Sequence, residues 1–263
     1  MTGQKAQNSA GYRERNSTAD RALDILQLFS EDRLVLSGAE ISQHLGVARS
    51  TAYRYLQTLV SSGFMEDAPG GFRLGPRIFH LARLARAGIG LSEISLPVMR
   101  DLAAQTGETV LLTRRSGHVV VCLERVEASQ PVRLSYDRGQ VLPINAGAAA
   151  EVLLAWASSE EIDAVLAEAP LRRFTPKTLV DPKRLKKRLA EIRKDGFAVS
   201  RSELDENVVG VAAPIRDSAG AVRAAVSIAA LSARLPVEDT GLTAERVCAA
   251  ATEIGSQLSL IEG

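Results

Sequence analysis

At 263 residues the chain is long enough for two domains with separate apolar cores. Apolar residues make up 46% and charged residues 24% of the sequence, close to globular averages, which excludes a disordered or a collagen-like protein. The formal net charge is only +1, so the charge of the whole chain neither indicates nor excludes nucleic acid as a partner.

The first residues carry no apolar run of the kind found in a secretory signal, so we expect a disordered arm over residues 1–16 and a cytoplasmic protein. The longest apolar stretches, such as Val208–Ile215, are far shorter than the roughly 20 residues of a membrane-spanning helix, so no membrane partner is expected. Cys122 and Cys248 are far apart among apolar neighbours, which indicates buried thiols rather than a disulfide or a metal site.

Three helices are predicted in the N-terminal quarter. The first begins after Ser17, and Ser37-Gly-Ala-Glu40 is a capping box that opens the second. Gly46 interrupts the pattern before a third helix that runs from about Arg49 to Ser62. One face of this third helix is apolar, and the other carries hydrogen-bonding side chains: Arg49, Ser50, Thr51, Tyr53, Arg54 and Gln57.

Two short strands follow, Gly63–Asp67 and Gly71–Leu74, joined through a Pro-Gly-Gly turn. A helix-turn-helix followed by a hairpin predicts a winged helix-turn-helix domain over residues 17–75. Its third helix would enter the major groove of double-stranded DNA, and Arg73 on the hairpin would approach the adjacent backbone.

Local charge supports this interpretation. Between Val47 and Ala87 only Glu66 and Asp67 oppose six arginines, which are Arg49, Arg54, Arg73, Arg77, Arg83 and Arg86. The alternative is a small helical domain with solvated arginines, and the order of capped helix, glycine turn, polar-faced helix and hairpin argues against it. For Tyr53, partial packing into the core is an equal alternative to DNA contact.

The same residues resemble the IclR-type transcriptional regulators. The run Ala39–Leu59 with Gly63-Phe64 is similar to the DNA-binding half of that family. Further similarities extend over nearly the whole chain, at Gly139–Ala146, Gly196–Glu203, Gly210–Ile215 and Ala225–Ile228.

The chain also departs from the family pattern. Where the family commonly has His-Ala-Thr-Ala-x-Gly-Lys, this chain has Asn145-Ala-Gly-Ala-Ala-Ala-Glu151, which lacks the histidine, the late glycine and the lysine. A position that is often acidic or polar in the family falls at Ser200, and of a serine pair only Ser227 remains, with Ala229 as its second member. The identity of the effector therefore does not transfer.

A linker helix is predicted over residues 76–90, with Pro76 as its opener and an apolar seam that includes Ile78, Leu81 and Leu84. It would couple the two domains and pair with another subunit. The alternative is an ordinary packed helix.

Residues 91–263 show strands on either side of a block of helices, which predicts an α+β domain with a largely antiparallel sheet and helices on one side. We expect the final helix to be interrupted near Gly241. The resemblance implies a GAF/PAS-like sheet, an effector-binding function and self-association for this domain.

The best polar feature of a ligand pocket is the helix start after Pro143, since the backbone amides of Asn145, Ala146, Gly147 and Ala148 would hold a carboxylate. The alternative is a tightly packed helix start. Weaker candidates for effector binding are Cys122, Arg133, Ser200, Gly210 and Ser227.

An enzyme with an accessory DNA-binding domain is the rival class. The sequence has no nucleophile elbow, phosphate loop or metal-ligand spacing, so no catalytic residue, metal or cofactor is expected. Glu160-Glu161 and Glu203 with Asp205-Glu206 read as caps or loop charges, and the basic run Lys183–Arg188 reads as a solvated helix face.

The sequence thus predicts a DNA-binding transcriptional regulator, preferably a repressor with an activator as alternative, that responds to a small organic or aromatic acid. Homodimers or tetramers would bind an inverted repeat.

Overall fold

The computed structural model describes residues 18–30, 32–127, 130, 134, 136–168 and 171–262, with the side chains of 85–89, 168, 261 and 262 left aside. The predicted arm over residues 1–16 lies outside these ranges. The chain divides into two compact units, residues 1–85 and 86–263.

The first unit contains three helices and a hairpin. Their bounds are α1 Thr18–Gln27, α2 Gly38–Leu45, α3 Arg49–Ser61, β1 Met65–Ala68 and β2 Gly71–Leu74. One apolar cluster joins all of them, with Ile25 of α1, Ile41 of α2, Leu56 of α3 and Met65 of β1 almost fully buried. The small core therefore fixes which face of each helix remains outside.

The turn between α2 and α3 is held by the interactions that its sequence predicts. Ser37 and Glu40 form the capping box at the start of α2. Gly46 ends that helix at φ +64°, a left-handed conformation that glycine adopts without strain. The Ser42 hydroxyl then donates to the carbonyl of Val47 at 2.8 Å, which fixes the entry into α3.

The hairpin β1–β2 is antiparallel and turns through Pro69 and Gly70. Leu36, just before α2, pairs with Phe72 through two backbone hydrogen bonds of 2.9 Å and so adds a third extended segment. A Cβ on Gly71 would lie 2.2 Å from the carbonyl oxygen of Leu36, so this approach requires a glycine. The hairpin is thereby fixed against the start of α2.

Helix α4, Arg77–Ile89, contains the boundary between the two units. Its apolar side chains Phe79, Leu81 and Leu84 are 78%, 39% and 45% exposed in the single chain. The predicted apolar seam is thus present on the helix but largely uncovered.

The second unit is a six-stranded sheet with five helices among the described residues. The helices are α5 Leu91–Thr106, α6 Ala148–Ala155, α7 Ser159–Glu168, α8 Pro182–Asp195 and α9 Thr240–Glu262. The strands are β3 Thr109–Ser116, β4 Val119–Val126, β5 Val141–Pro143, β6 Ala198–Arg201, β7 Val208–Arg216 and β8 Val222–Leu231. Their order is β5-β4-β3-β8-β7-β6, and every neighbouring pair is antiparallel.

Helices cover both faces of this sheet, so the expectation of helices on one side is wrong. Val226 and Ile228 of β8 pack with α5 and α9, whereas Ala225 and Ala229 pack with α6, α7 and α8. Side chains alternate between the faces of a strand, and a central strand covered on both faces is apolar without interruption. The largely apolar sequence of β8, interrupted only by Arg223 and Ser227, was the signal for this arrangement.

Two details of the second unit also differ from expectation. Helix α9 is continuous from Thr240, and Gly241 lies in its first turn rather than at a break. The edge strand β5 was not predicted, since three residues are too few to show an alternating pattern.

Helix α6 ends at Trp156, the single tryptophan of the chain. The guanidinium of Arg216 on β7 lies 4.7 Å from the centre of the indole ring, a cation–π contact. This contact ties the end of α6 to the sheet.

No helix in the described ranges combines the length and the apolar character needed to cross a membrane.

Candidate DNA-binding surface and ligand pocket

The polar face of α3 is directed outward. Ala52, Leu56 and Leu59 are buried on the opposite face of the helix. Of the residues predicted to bind DNA, Arg49, Ser50, Tyr53, Arg54 and Gln57 are exposed, while Thr51 is half-buried. The helix therefore offers a row of donors and acceptors to solvent, as a helix that reads base edges must.

Tyr53 both packs and remains accessible. Its ring meets Phe72 of the hairpin edge-on, with centroids 6.1 Å apart, and 45% of the residue is exposed. A Cβ on Gly38 would lie 2.8 Å from its ring. Tyr53 thus packs in part and keeps an accessible surface, and its contact with DNA stays a prediction.

Arg73 on β2 is exposed but paired. Its Nε donates to Oε1 of Glu66 on β1 at 2.6 Å, and the two side chains are 56% and 41% exposed. Sequence reasoning missed this partner, although the two residues lie directly opposite in the hairpin register. The charge that was expected to attract phosphate is therefore partly neutralised.

In the second unit, the start of α6, strands β3 and β5–β8 and a loop line a cavity of about 50 Å³. Six of the nine predicted effector-binding residues line it, namely Ala146, Gly147, Ala148, Ser200, Gly210 and Ser227. Typical ligand pockets measure roughly 300–1,000 Å³, so a ligand enters this cavity only when its walls move apart.

The remaining three predicted residues are not in the lining. Asn145 is buried, and its side-chain Nδ2 donates to the carbonyls of Arg172 and Leu179 at 3.0 and 3.4 Å and so fixes a loop, while the role of its backbone amide stays a prediction. Cys122 is buried in the core beside the cavity, where burial raises the pKa of its thiol to about 11. Arg133 lies outside the described residues.

The cavity presents hydrogen-bonding groups at the start of α6. Gly147 caps the helix at φ +92°, and the amide of Glu151 makes the first bond of the helix, to the Gly147 carbonyl. The amides of the first turn have no partner within a helix, so they are free to bind an anion. Ser227 lines the same cavity and is only 4% exposed. Its hydroxyl makes no hydrogen bond among the described residues.

Tyr136 and Asp205 were not predicted and also line the cavity. The Tyr136 hydroxyl donates to Oδ2 of Asp205 at 3.0 Å, and burial together with the Asp205 charge raises the pKa of that hydroxyl. Asp205, taken from the sequence as a loop charge, is therefore part of the cavity wall.

The loop that carries Asp205 spans residues 202–207, here called the pocket strap. Both of its ends, Ser202 and Asn207, have positive φ, at 58° and 61°. Its carbonyls at Ser202 and Glu203 accept hydrogen bonds of 2.6 Å from the hydroxyls of Thr175 and Thr178. The strap is thus held by hydrogen bonds from Thr175 and Thr178, while its residues Leu204 and Asp205 line the cavity.

Next to the cavity lies a partly buried cluster of Glu151 on α6, Glu203 on the strap and Arg188 on α8. Arg188 Nε lies 3.4 Å from Glu151 and its Nη2 lies 3.9 Å from Glu203. Glu151 is fully buried, and its burial together with the Glu203 charge raises its pKa to about 8, against the opposing effect of Arg188.

The cluster corrects two expectations. Glu203 lies in a loop as expected but is not an exposed charge there, since its side chain is 13% exposed and faces Glu151. Arg188 is not on a solvated face, because it also donates to the carbonyl of Val199, whereas Lys187 beside it is 82% exposed. Glu161, by contrast, forms a reciprocal cap with Ser158 as expected.

Both units of the chain match models of known protein families. Residues 18–69 match the family model described as the IclR helix-turn-helix domain, and residues 85–256 match the model described as bacterial transcriptional regulator IclR C-terminal. Among curated proteins, the HTH-type transcriptional repressor AllR of Escherichia coli is 31% identical over 246 residues, which cover 92% of this chain and 90% of AllR.

Solved structures agree in fold. A putative IclR transcriptional regulator from Silicibacter sp. TM1040 superposes with a TM-score of 0.84 at 29% identity and covers 92% of this chain and 96% of its own. An IclR homolog from Microbacterium hydrocarbonoxydans, solved as a complex with 4-hydroxybenzoate, superposes with a TM-score of 0.77 at 29% identity. The match covers 93% of this chain and 100% of the homolog.

Proposed function

The chain belongs to the IclR family of bacterial transcriptional regulators, and on that premise we propose that it is a repressor whose operator binding responds to a small organic or aromatic acid. Residues 17–75 bind DNA, residues 76–90 form the linker, and residues 91–263 bind the effector and mediate self-association. Because it acts on operator DNA, we place it in the cytoplasm.

The outward polar face of α3 is the observation that carries DNA binding. This face meets base edges in the major groove through Arg49, Ser50, Thr51, Tyr53, Arg54 and Gln57. Arg73 of the hairpin approaches the neighbouring backbone or minor groove. Bidentate pairing of arginine or glutamine with bases supplies the sequence preference.

We place two such surfaces in successive major grooves about 34 Å apart on an inverted repeat, which requires at least a homodimer and accommodates a tetramer. The exposed Phe79 and Leu84 of α4 support self-association, since a second copy of the same helix would cover them.

The acid binds in the cavity at the start of α6. Its carboxylate accepts hydrogen bonds from the first-turn amides of α6 and from the Ser227 hydroxyl, with Ser200 and Gly210 in the surrounding wall. The homolog solved with 4-hydroxybenzoate supports this ligand class. Cys122 and Asn145 contribute to the shape of the pocket from behind it, and Arg133 remains a proposed ligand contact.

Repression is proposed by analogy with AllR, which is named as a repressor. An activator of the same family is the alternative, and in vitro transcription from the operator decides between them. Ligand binding would shift the population between DNA-competent and DNA-incompetent arrangements.

A gel-shift assay on the DNA upstream of the chain's own gene tests the proposal, with and without benzoate and 4-hydroxybenzoate. Wild type binds specifically, and an acid alters this binding. Arg54→Ala costs about 1–3 kcal/mol, concentrated at one base if Arg54 reads it and spread over all sequences if it contacts phosphate.

Lys187→Ala is the matched control, since it removes the same charge from an exposed position outside the DNA-binding unit. Equal affinity of Arg54→Ala and wild type on a footprinted site contradicts the assigned surface. Absence of specific binding at low salt contradicts the regulator itself.

A further inference from the structure

Glu151 and Glu203 join the two walls of the ligand cavity. Glu151 belongs to α6, whose first turn faces the cavity, and Glu203 belongs to the pocket strap, whose Leu204 and Asp205 face it from the other side. A Cβ on Gly147 would lie 3.7 Å from Cδ2 of Leu204, so the strap rests directly on the start of α6. The contact between the two carboxyl groups therefore helps to set how closely the cavity is shut.

The oxygens of this contact indicate a shared proton. Glu151 Oε1 and Glu203 Oε2 are both buried without a hydrogen-bond donor among the described residues, and the two side chains lie within reach of each other. Two ionised carboxylates would repel each other there, whereas one proton lets Glu151 donate to Glu203.

The charges of the cluster also favour one proton shared by Glu151 and Glu203. With one proton on the pair, the single carboxylate charge is balanced by Arg188, and the cluster is neutral. Loss of that proton to solvent leaves a net charge of −1 next to the cavity. The other charged side chain nearby on β6, Arg201, is engaged with the carbonyls of Leu235 and Pro236 and does not compensate. The Ser200 hydroxyl lies near Glu203 and lowers the pKa of that carboxyl.

We propose that Glu151 and Glu203 are positioning residues of the ligand pocket: the proton they share holds the strap against α6, and an anionic ligand binds only while this proton is retained. The second half rests on the proposed function, whereas the first half concerns the free protein alone. When the proton leaves, carboxylate repulsion loosens the strap from Gly147, but the added negative charge opposes a carboxylate in the cavity and outweighs the easier opening of its walls.

Methyl NMR of the full-length protein, labelled at leucine, tests the first half without any ligand. The Leu204 methyl signals should shift between pH 6.5 and pH 9.5 with a midpoint near pH 8. Glu151→Gln should abolish this titration, because its amide can donate to Glu203 but cannot ionise. Glu191→Gln, at an exposed site on α8, should leave it in place.

Leu204 methyl signals that do not change with pH in the wild type overturn the first half. This measurement uses the wild-type protein alone and so does not depend on whether a variant folds. An unchanged titration in Glu151→Gln overturns it as well, because the proton would then belong to another group.

Calorimetric titration with benzoate tests the second half, since benzoate has no group that ionises between pH 7 and pH 9. Its affinity should fall roughly tenfold over that interval in the wild type and stay constant in Glu151→Gln. Equal wild-type affinity at both pH values overturns the coupling while leaving the acid effector intact. If benzoate fails to bind at pH 7, that contradicts the acid effector and the coupling together, and the Leu204 titration still decides the first half.

Discussion

The ring of Tyr53 on α3 lies over Gly38 at the start of α2, and a Cβ on that glycine would stand 2.8 Å from Cε2, Cζ and the phenolic oxygen. The absence of a side chain at position 38 thus determines where Tyr53 sits on the proposed DNA-binding surface. This gives a way to move one side chain of that surface without removing it.

We predict that Gly38→Ala weakens operator binding by about 1 kcal/mol, because the new methyl group displaces the Tyr53 ring. The free energy of unfolding should change by less than about 1 kcal/mol, since alanine favours the helix and the ring is free to move outward. Gel shift and urea denaturation measure the two quantities. Gly241→Ala, in the open first turn of α9, is the control for helix propensity. Unaltered DNA affinity in Gly38→Ala would exclude Tyr53 from the interface.

Glu66 should restrain the affinity of the hairpin for DNA, because it neutralises Arg73. Glu66→Gln is expected to raise affinity up to about fivefold at low salt, the scale of an exposed ion pair. The slope of log affinity against log salt concentration should become steeper by about one released counterion. Glu191→Gln makes the same charge change away from the DNA-binding unit. A salt dependence equal to that of the wild type would place Arg73 away from phosphate.

Gly147→Val should abolish the response to acid while DNA binding persists, because the side chain enters the cavity beside Leu204. Gly147 has φ +92°, so the substitution also strains the backbone by about 1–3 kcal/mol. Gly139→Val is the matched control, since Gly139 has φ +83° with open space around it. Both variants should lose similar stability in urea denaturation. A normal acid response in Gly147→Val would rule out this cavity as the effector site.

Stability should depend on pH through Glu151. An unfolded glutamate loses its proton near pH 4.5, whereas the folded chain keeps it up to about pH 8. Unfolding between these values therefore releases a proton, and the free energy of unfolding falls as pH rises, by up to about 1.4 kcal/mol per pH unit. Urea denaturation at several pH values should show this slope in the wild type and a flatter curve in Glu151→Gln. Parallel curves for the two proteins would mean that Glu151 is ionised throughout.

Local signals in the sequence predict most of the helices and strands. The capping box of Ser37 and Glu40 and the helix-ending Gly46 each act within a few residues, so their physical basis is readable from the sequence alone. The polar face of α3 is predicted for the same reason, since helical spacing separates its buried and exposed residues.

Contacts between distant residues could not be predicted in this way. Glu203 was taken as a cap or loop charge and Arg188 as solvated because both lie among other charges in the sequence, and only the fold brings them to Glu151. Asn145 follows Pro143 as the sequence requires, but the partners of its side-chain amide, the carbonyls of Arg172 and Leu179, could not be foreseen. Composition indicates that a charge is present, whereas its burial depends on which segments the sheet brings together.

The two ends of α6 have different surroundings: its first turn forms a wall of the cavity, and its last residue is followed by Trp156 under the guanidinium of Arg216. The indole is the only one in the chain, so its fluorescence comes from a single place. Any shift of α6 that opens the cavity alters the contact with Arg216 and with it the emission. The protein thus contains an intrinsic optical reporter of its own ligand pocket, which needs no label and no DNA.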